Sequence, residues 1–285
     1  MISTCIELCA HHYTMCMVIM GTTIMGATCG LLGTFGLLKG YSLFGDALSH
    51  AALPGVAVAV LLNQRKDSAW LMVGGALTGA LALGIVYIAQ QYTRLKLDSL
   101  LGTLLSVFFG IGLIVMTVIQ KLSVSHQAAL NTFVLGNAAT LMPRDMYCII
   151  VVSLLIIACL CALWKEFVLA TFDTVFARAI GYRVLLFEGL LACLLIMLIA
   201  VGLQTVGVIL MTALLIAPAA AARQWTARIK PMALTAACIG GSSCMLGAFI
   251  SSAIEQVPTG PIIVVIVTSI AFISLCVTPY RVRAL

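Results

Sequence analysis

The sequence predicts an all-α fold, a polytopic transmembrane helix bundle of about nine spans with the N-terminus outside and the C-terminus inside. Three observations predict it. Of 285 residues, 63% are hydrophobic and only 8% charged, whereas an ordinary soluble domain carries about 25% charged residues. No soluble fold of this length hides so much apolar surface, so the solvent is lipid. The apolar residues fall into runs of about 20, the length at which a helix crosses the hydrocarbon core and satisfies its own backbone groups. The basic residues gather in the breaks between the runs. The net charge of +6 is therefore dispersed, which argues against nucleic acid and makes membrane lipid the first partner.

The runs lie at about 14–38, 41–62, 69–92, 100–121, 146–164, 184–203, 205–222, 231–253 and 260–280. Met1 to Tyr13 carries Glu7, His11 and His12 but no Lys or Arg. It lacks the basic region of a signal peptide, so the first run reads as a retained span. Gln204 alone separates the sixth and seventh runs, and fusing them gives eight spans. The segment 126–142 is semi-apolar and interrupted by Gly and Asn, and reads as a re-entrant or interfacial piece. Orientation follows from the basic residues. Lys39, the 93–99 loop, the 165–183 loop, the 223–230 loop and the tail with Arg281 and Arg283 are placed in the cytoplasm. Arg65, Lys66, Lys121 and Arg144 fall outside. The 1–285 chain is then one multi-pass transmembrane domain.

Small residues recur at four-residue spacing, Thr22, Gly26, Gly30 and Thr34, then Gly75 and Gly79. In lipid such stripes let helix backbones approach closely. The eleven cysteines are scattered through the apolar runs with no C-x-x-C, and read as small apolar packing residues.

The informative segment is GDALSHAALPG, residues 45–55. Asp46 and His50 are four apart, so on a helix they share one face. Ionisable residues inside a span usually face a cavity, a partner or a substrate path. A carboxylate with an imidazole is an oxygen–nitrogen ligand pair suited to manganese, iron or zinc. The same spacing serves a structural Asp–His hydrogen bond between helices, and the residues alone leave both readings open. Pro54 and Gly55 loosen the helix just beyond the pair.

GDALSHAALPG resembles the signature of the permease subunits of ABC importers for manganese, zinc and iron. Three more segments are similar to that family in the same order: FDTVFARAIG at 172–181, VGVILMTALLIAPAAAAR at 206–223 and GAFISSAIEQVPTGP at 247–261. The resemblance covers nearly the whole chain. It implies a dimeric pore made with a second permease chain, a copy or a close paralogue. It also implies a cytoplasmic ATP-binding subunit, an extracytoplasmic metal-binding protein, and Asp46 and His50 of both chains holding the metal in transit. The metal is cargo, with no cofactor permanently bound. Zinc-type members often lack the run Ser49 to Gly55, which leans the expectation towards manganese or iron; Mn²⁺ stands first, with Zn²⁺ or Fe²⁺ as alternatives.

The resemblance also makes 172–181 the segment that couples to the ATPase, and its own residues agree. Asp173 can N-cap a short helix from Thr174 to Ile180 and Gly181 can end it, while Arg178 and Arg183 keep it cytoplasmic. Asp173, Ala177, Arg178 and Gly181 are its expected coupling residues. Glu188, about one turn inside the sixth span, and Glu255, at an outward turn before Pro258, are candidates for a gate or secondary path. There is no G-x-x-x-x-G-K-[ST] phosphate loop and no H-E-x-x-H, so the chain is expected to be a transport subunit and not an enzyme. The competing class is an ion-coupled secondary metal transporter using Asp46, His50 and Glu188 as a proton relay. An intramembrane metalloenzyme would need a third in-span ligand.

Overall fold

The computed structural model describes residues 13–40, 43–63, 68–122, 143–253 and 258–277. Among them every regular element is a helix. The long ones are α1 (Tyr13–Leu38), α2 (Phe44–Asn63), α3 (Ser68–Tyr92), α4 (Leu97–Leu122) and α5 (Pro143–Ala162). Two short helices follow, α6 (Trp164–Phe172) and α7 (Thr174–Ala179). The chain then returns through α8 (Val184–Thr205), α9 (Val208–Trp225), α10 (Ile229–Ala253) and α11 (Thr259–Val277). The expected piece at 126–142, His11, His12 and Glu255 lie outside the described residues.

Each of the nine predicted runs coincides with a long helix. Eight of them are long and apolar enough to cross a membrane, and α9, at 18 residues, is the short one. The sixth and seventh runs do not fuse. α8 stops at Thr205, and Gly207 precedes α9 with φ +87°, a left-handed conformation that favours glycine. The 165–183 loop holds α6 as well as the expected α7. α6 was not predicted because its nine residues are too few to show a helical period beside a span.

The bundle has an inside and an outside. α1 and α2 bury 56% and 61% of their span residues, whereas α3, α4, α5 and α11 bury 22–28%. The outer helices turn Leu77, Ile114, Leu154, Val265 and Phe272 outward, the apolar belt that lipid covers. Hydroxyls within the helices bond the carbonyl one turn back. Thr34 Oγ1 donates to Gly30 O at 2.9 Å and Thr117 Oγ1 to Leu113 O at 2.7 Å. Neither hydroxyl is left unsatisfied in hydrocarbon.

At the centre α1 lies directly on α10. A Cβ on Gly26 would stand 2.6 Å from the Gly240 carbonyl oxygen, and one on Gly30 would strike the Ala236 carbonyl. These are the glycines of the predicted stripe. Without a hydrophobic drive between helices in lipid, such close packing is what holds them together. α9 fills the space beside this pair with Ala219, Ala221 and Ala222, each fully buried. The second predicted stripe is displaced by one residue. The close α2–α3 crossing is made by Gly55 against Gly74, while Gly75 meets Val56 of α2 and Gly79 meets Ile196 of α8.

Gly30→Ala has to push α1 off α10, and is expected to destabilise the protein by about 1–3 kcal/mol, the cost of overpacking. Gly84→Ala, on an open helix face with nothing near its Cβ, should leave stability unchanged or slightly raised. Thermal unfolding of both variants in detergent checks this.

Candidate functional site

Asp46 falls in the first turn of α2, where the partial positive charge of the helix N-terminus favours a carboxylate. The helix starts at Phe44, three residues later than the predicted run, so the acid is nearer the end of the span than its sequence position implied. His50 is one turn on, and its Nε2 lies 3.4 Å from Asp46 Oδ1. The shared face is therefore real. Both side chains are partly exposed, His50 21% and Asp46 36%, although the residues between them, Ala47, Leu48 and Ser49, are buried. The pair thus opens on the surface of this single chain.

The imidazole is held from one side. Its ring meets Phe109 of α4 edge-on, with centroids 4.9 Å apart. Nδ1 is buried without a hydrogen-bond partner, which leaves Nε2 as the nitrogen turned towards the carboxylate. Two donors each about 2.1 Å from one ion stand about 3.4 Å apart at a tetrahedral angle and about 3.0 Å apart in a cis octahedral pair. The observed spacing already suits two ligands of one metal. The pair is incomplete by itself: among the described residues no group of three or more His, Cys, Asp or Glu side chains is placed to hold an ion.

The backbone beside the pair is also unusual. Pro54 sits inside α2 and has no N–H to give to the carbonyl of His50. Gly112 of α4 takes Leu53 and Pro54 against its bare Cα, while Gly55 packs on Gly74. α2 is thereby gripped by α3 and α4 just past the pair.

Glu188 is not in the company of Asp46 and His50 in any described contact. It forms an ion pair with Lys39 at 2.8 Å, and the Lys39 side chain is only 6% exposed. This joins the end of α1 to the start of α8. In the sequence Lys39 is only an orientation signal, and the clue to its partner is topological: a predicted span ending in Lys and another beginning near Glu on the same side. The Glu188 side chain also lines a cavity of about 710 Å³ with Tyr87, Gln90, Arg178, Tyr182 and Arg183.

α7 forms as the sequence predicts. Asp173 Oδ1 accepts the Phe176 N–H at 2.8 Å, the helix ends at Ala179, and Gly181 follows with φ +92°. Ala177 does not face outward. It is 1% exposed and packs with Ala170 of α6 and Val184 of α8. The outward residues are Val175, Phe176 and Ile180, with Phe172 just before them, all more than half exposed. Sequence reasoning missed these because a six-residue helix shows no period.

The described cysteines are free. Cys29 and Cys244 are buried, while Cys161, Cys193, Cys238 and Cys276 are exposed on helix faces. Cys29 Sγ lies 3.9 Å from Met211 Sδ, a sulfur contact inside the core that fits their reading as packing residues.

Residues 11–278 match the model of the ABC 3 transport family. The chain belongs to that family. It is 40% identical over 269 residues to the zinc transport system membrane protein TroC of Treponema pallidum, covering 94% of this chain and 90% of that one. It is also 40% identical over 264 residues to the manganese transport system membrane protein MntC of Bacillus subtilis, covering 93% of this chain and 61% of that one. Among solved structures, PsaBC from Streptococcus pneumoniae in complex with Fab superposes with a TM-score of 0.85 at 29% identity, over 98% of this chain and 97% of that chain. The family is one of ABC transporter permeases, multi-pass membrane subunits that are not themselves enzymes. An ion-coupled secondary transporter and a metalloenzyme are both set aside by it.

Lys39→Met should leave Glu188 without its partner near the α1–α8 joint. Loss of about 1–3 kcal/mol is expected, less than for a fully enclosed pair because Glu188 is partly solvated. The double variant Lys39→Met with Glu188→Gln should recover part of that loss, and a double-mutant cycle on unfolding in detergent measures the coupling.

Proposed function

We propose that the chain is the membrane-spanning permease subunit of an ABC importer for a divalent transition metal, with manganese first and zinc or iron as alternatives. The observation that carries this reading is the Asp46–His50 pair, two donors at 3.4 Å opening on the surface of one chain with no third ligand near them among the described residues. A second copy related by a two-fold axis supplies the other half. Two carboxylates and two imidazoles, with water, make a four- to six-coordinate shell for such an ion. Two carboxylates also balance the 2+ charge where hydrocarbon surrounds the path. Hard oxygen with imidazole nitrogen suits Mn²⁺, Fe²⁺ and Zn²⁺, and relatives of equal identity are named for zinc and for manganese.

In this reading the N-terminus is outside and the C-terminus in the cytoplasm. An extracytoplasmic metal-binding protein delivers the ion at the end of the bundle away from α7. A separate cytoplasmic ATPase docks on α7 and supplies the energy. The exposed apolar residues Val175, Phe176 and Ile180 suit a docking knob, since a contiguous exposed apolar patch beside polar surface marks a contact site. Asp173 and Gly181 set the ends of that knob. Ala177 fixes it to the body of the permease, and Arg178 places positive charge beside it. Glu255 remains a candidate for the outward end of the path.

Uptake of labelled metal by the reconstituted complex tests the site. Asp46→Ala and His50→Ala should each lower ATP-dependent uptake at least tenfold while the protein stays folded in the membrane. Uptake near the wild-type rate in either variant removes that residue from the path. A complex pairing one unaltered chain with one Asp46→Ala chain should be as impaired as the doubly altered one; half-normal transport means that each chain works alone.

The docking face is tested separately. Val175→Glu with Phe176→Glu should abolish co-purification of the ATPase without disturbing the fold, because both side chains are exposed. Retention of the ATPase with coupled hydrolysis intact rejects α7 as the docking element.

A further inference from the structure

We propose that the cleft between α6 and the start of α10 holds the phosphate headgroup of an anionic phospholipid. The cleft has a volume of about 600 Å³, and Lys165, Arg228 and Lys230 line it with no carboxylate among its lining residues. All three cations are exposed, and among the described residues none of them forms an ion pair. The other large cavity at a basic loop contrasts with it. There Arg178 and Arg183 share the lining with Glu188, so its field is partly cancelled, and Lys39 is already engaged by that same glutamate. No carboxylate lines the α6–α10 cleft itself; Glu166, next to Lys165 in the first turn of α6, is not among its lining residues.

The position of the cleft selects lipid as the occupant. Lys165 follows the α5 span, Pro143–Ala162, by three residues, and Arg228 and Lys230 flank the first residue of the α10 span, Ile229–Ala253. Cations at the ends of spans stand at headgroup depth. Trp164 lines the same cleft, and tryptophan belongs at that boundary, where one side is apolar and the other wet. Val168 and Ile229 continue the lining as partly buried apolar surface, which suits the first methylenes of an acyl chain. A monoanionic phosphodiester headgroup above an apolar stem fits this arrangement. A zwitterionic headgroup brings its own cation into a site that already has three.

The probe is phosphatidylglycerol, offered to the full-length chain in nanodiscs otherwise made of phosphatidylcholine, with retained lipid counted by native mass spectrometry. The triple variant Lys165→Gln, Arg228→Gln and Lys230→Gln is compared with Arg94→Gln and Lys96→Gln, which removes exposed cations at another span end. Each cation near an anionic headgroup contributes roughly a fivefold factor, so apparent affinity should fall on the order of a hundredfold in the triple variant and stay unchanged in the control. Single variants should each show a loss of about fivefold, which keeps the measurement readable if the triple variant folds poorly. Equal retention of phosphatidylglycerol by the wild type and the triple variant overturns the proposal. So does retention of phosphatidylcholine to the same extent, or displacement by excess inorganic phosphate, which would make the cleft a free-anion site. Loss of the ATPase from the triple variant with its lipid retained assigns the cleft to a protein contact, and also overturns it.

Discussion

In hydrocarbon a helix gains nothing by hiding leucine, because lipid tails are as apolar as the side chain. What remains is close packing and the obligation to satisfy backbone groups. The bundle depends on places where that packing reaches its limit, first among them the contact of Gly26 and Gly30 on α1 with Ala236 and Gly240 on α10 at its centre. Here main chain meets main chain. α9 can be short and alanine-rich because the α1–α10 pair offers a shallow seat for it, and Ala219 to Ala222 need only small side chains to fill it. The outer helices then wrap this core with faces made for lipid. Gly33, whose Cβ would strike the Leu215 carbonyl of α9, extends the same principle to the third member.

The candidate metal pair is attached to this frame by a different device. α2 meets its neighbours through backbone at Gly55 and Gly74 and through Pro54 against Gly112, all beyond the pair on the C-terminal side. On the N-terminal side, the segment between α1 and α2 begins at Lys39, which Glu188 holds at 2.8 Å. Glu188 in turn lines the cavity shared with Arg178 and Tyr182, next to α7. Glu188 thus stands between the Lys39 end of α1 and the cavity beside α7.

Much of this was legible in the sequence because lipid imposes a simple grammar. Run length and the basic breaks gave all nine long helices to within a few residues, and the four-residue spacing of Asp46 and His50 gave their shared face. The N-cap at Asp173 and the turn at Gly181 were equally plain, since both are local chemistry. What stayed hidden was contact between distant segments. The stripe containing Gly75 and Gly79 was real in kind but off by one in register, because only the neighbouring helix decides which glycine lies at the crossing. The orientation of Ala177 was hidden for the same reason, as it depends on Ala170 and Val184 of other helices. Glu188 looked like a lone acid in a span until the fold brought Lys39 to it.

Pro54 has a mechanical consequence for α2. Its missing N–H releases the carbonyl of His50 one turn earlier, while Gly55, immediately after it, is locked to Gly74 by backbone contact. The helix is therefore two lengths joined at Pro54 and held to their neighbours in different ways. The downstream length is fixed to α3 and behaves as part of the wall. The upstream length, with Asp46 and His50 on it, is seated by side chains instead: a Cβ on Gly45 would stand 3.0 Å from Leu215 of α9, and Ala47, Leu48, Ser49 and Ala51 are buried. The candidate pair is thus carried on a length held by side chains, parted by a proline from the length held by backbone.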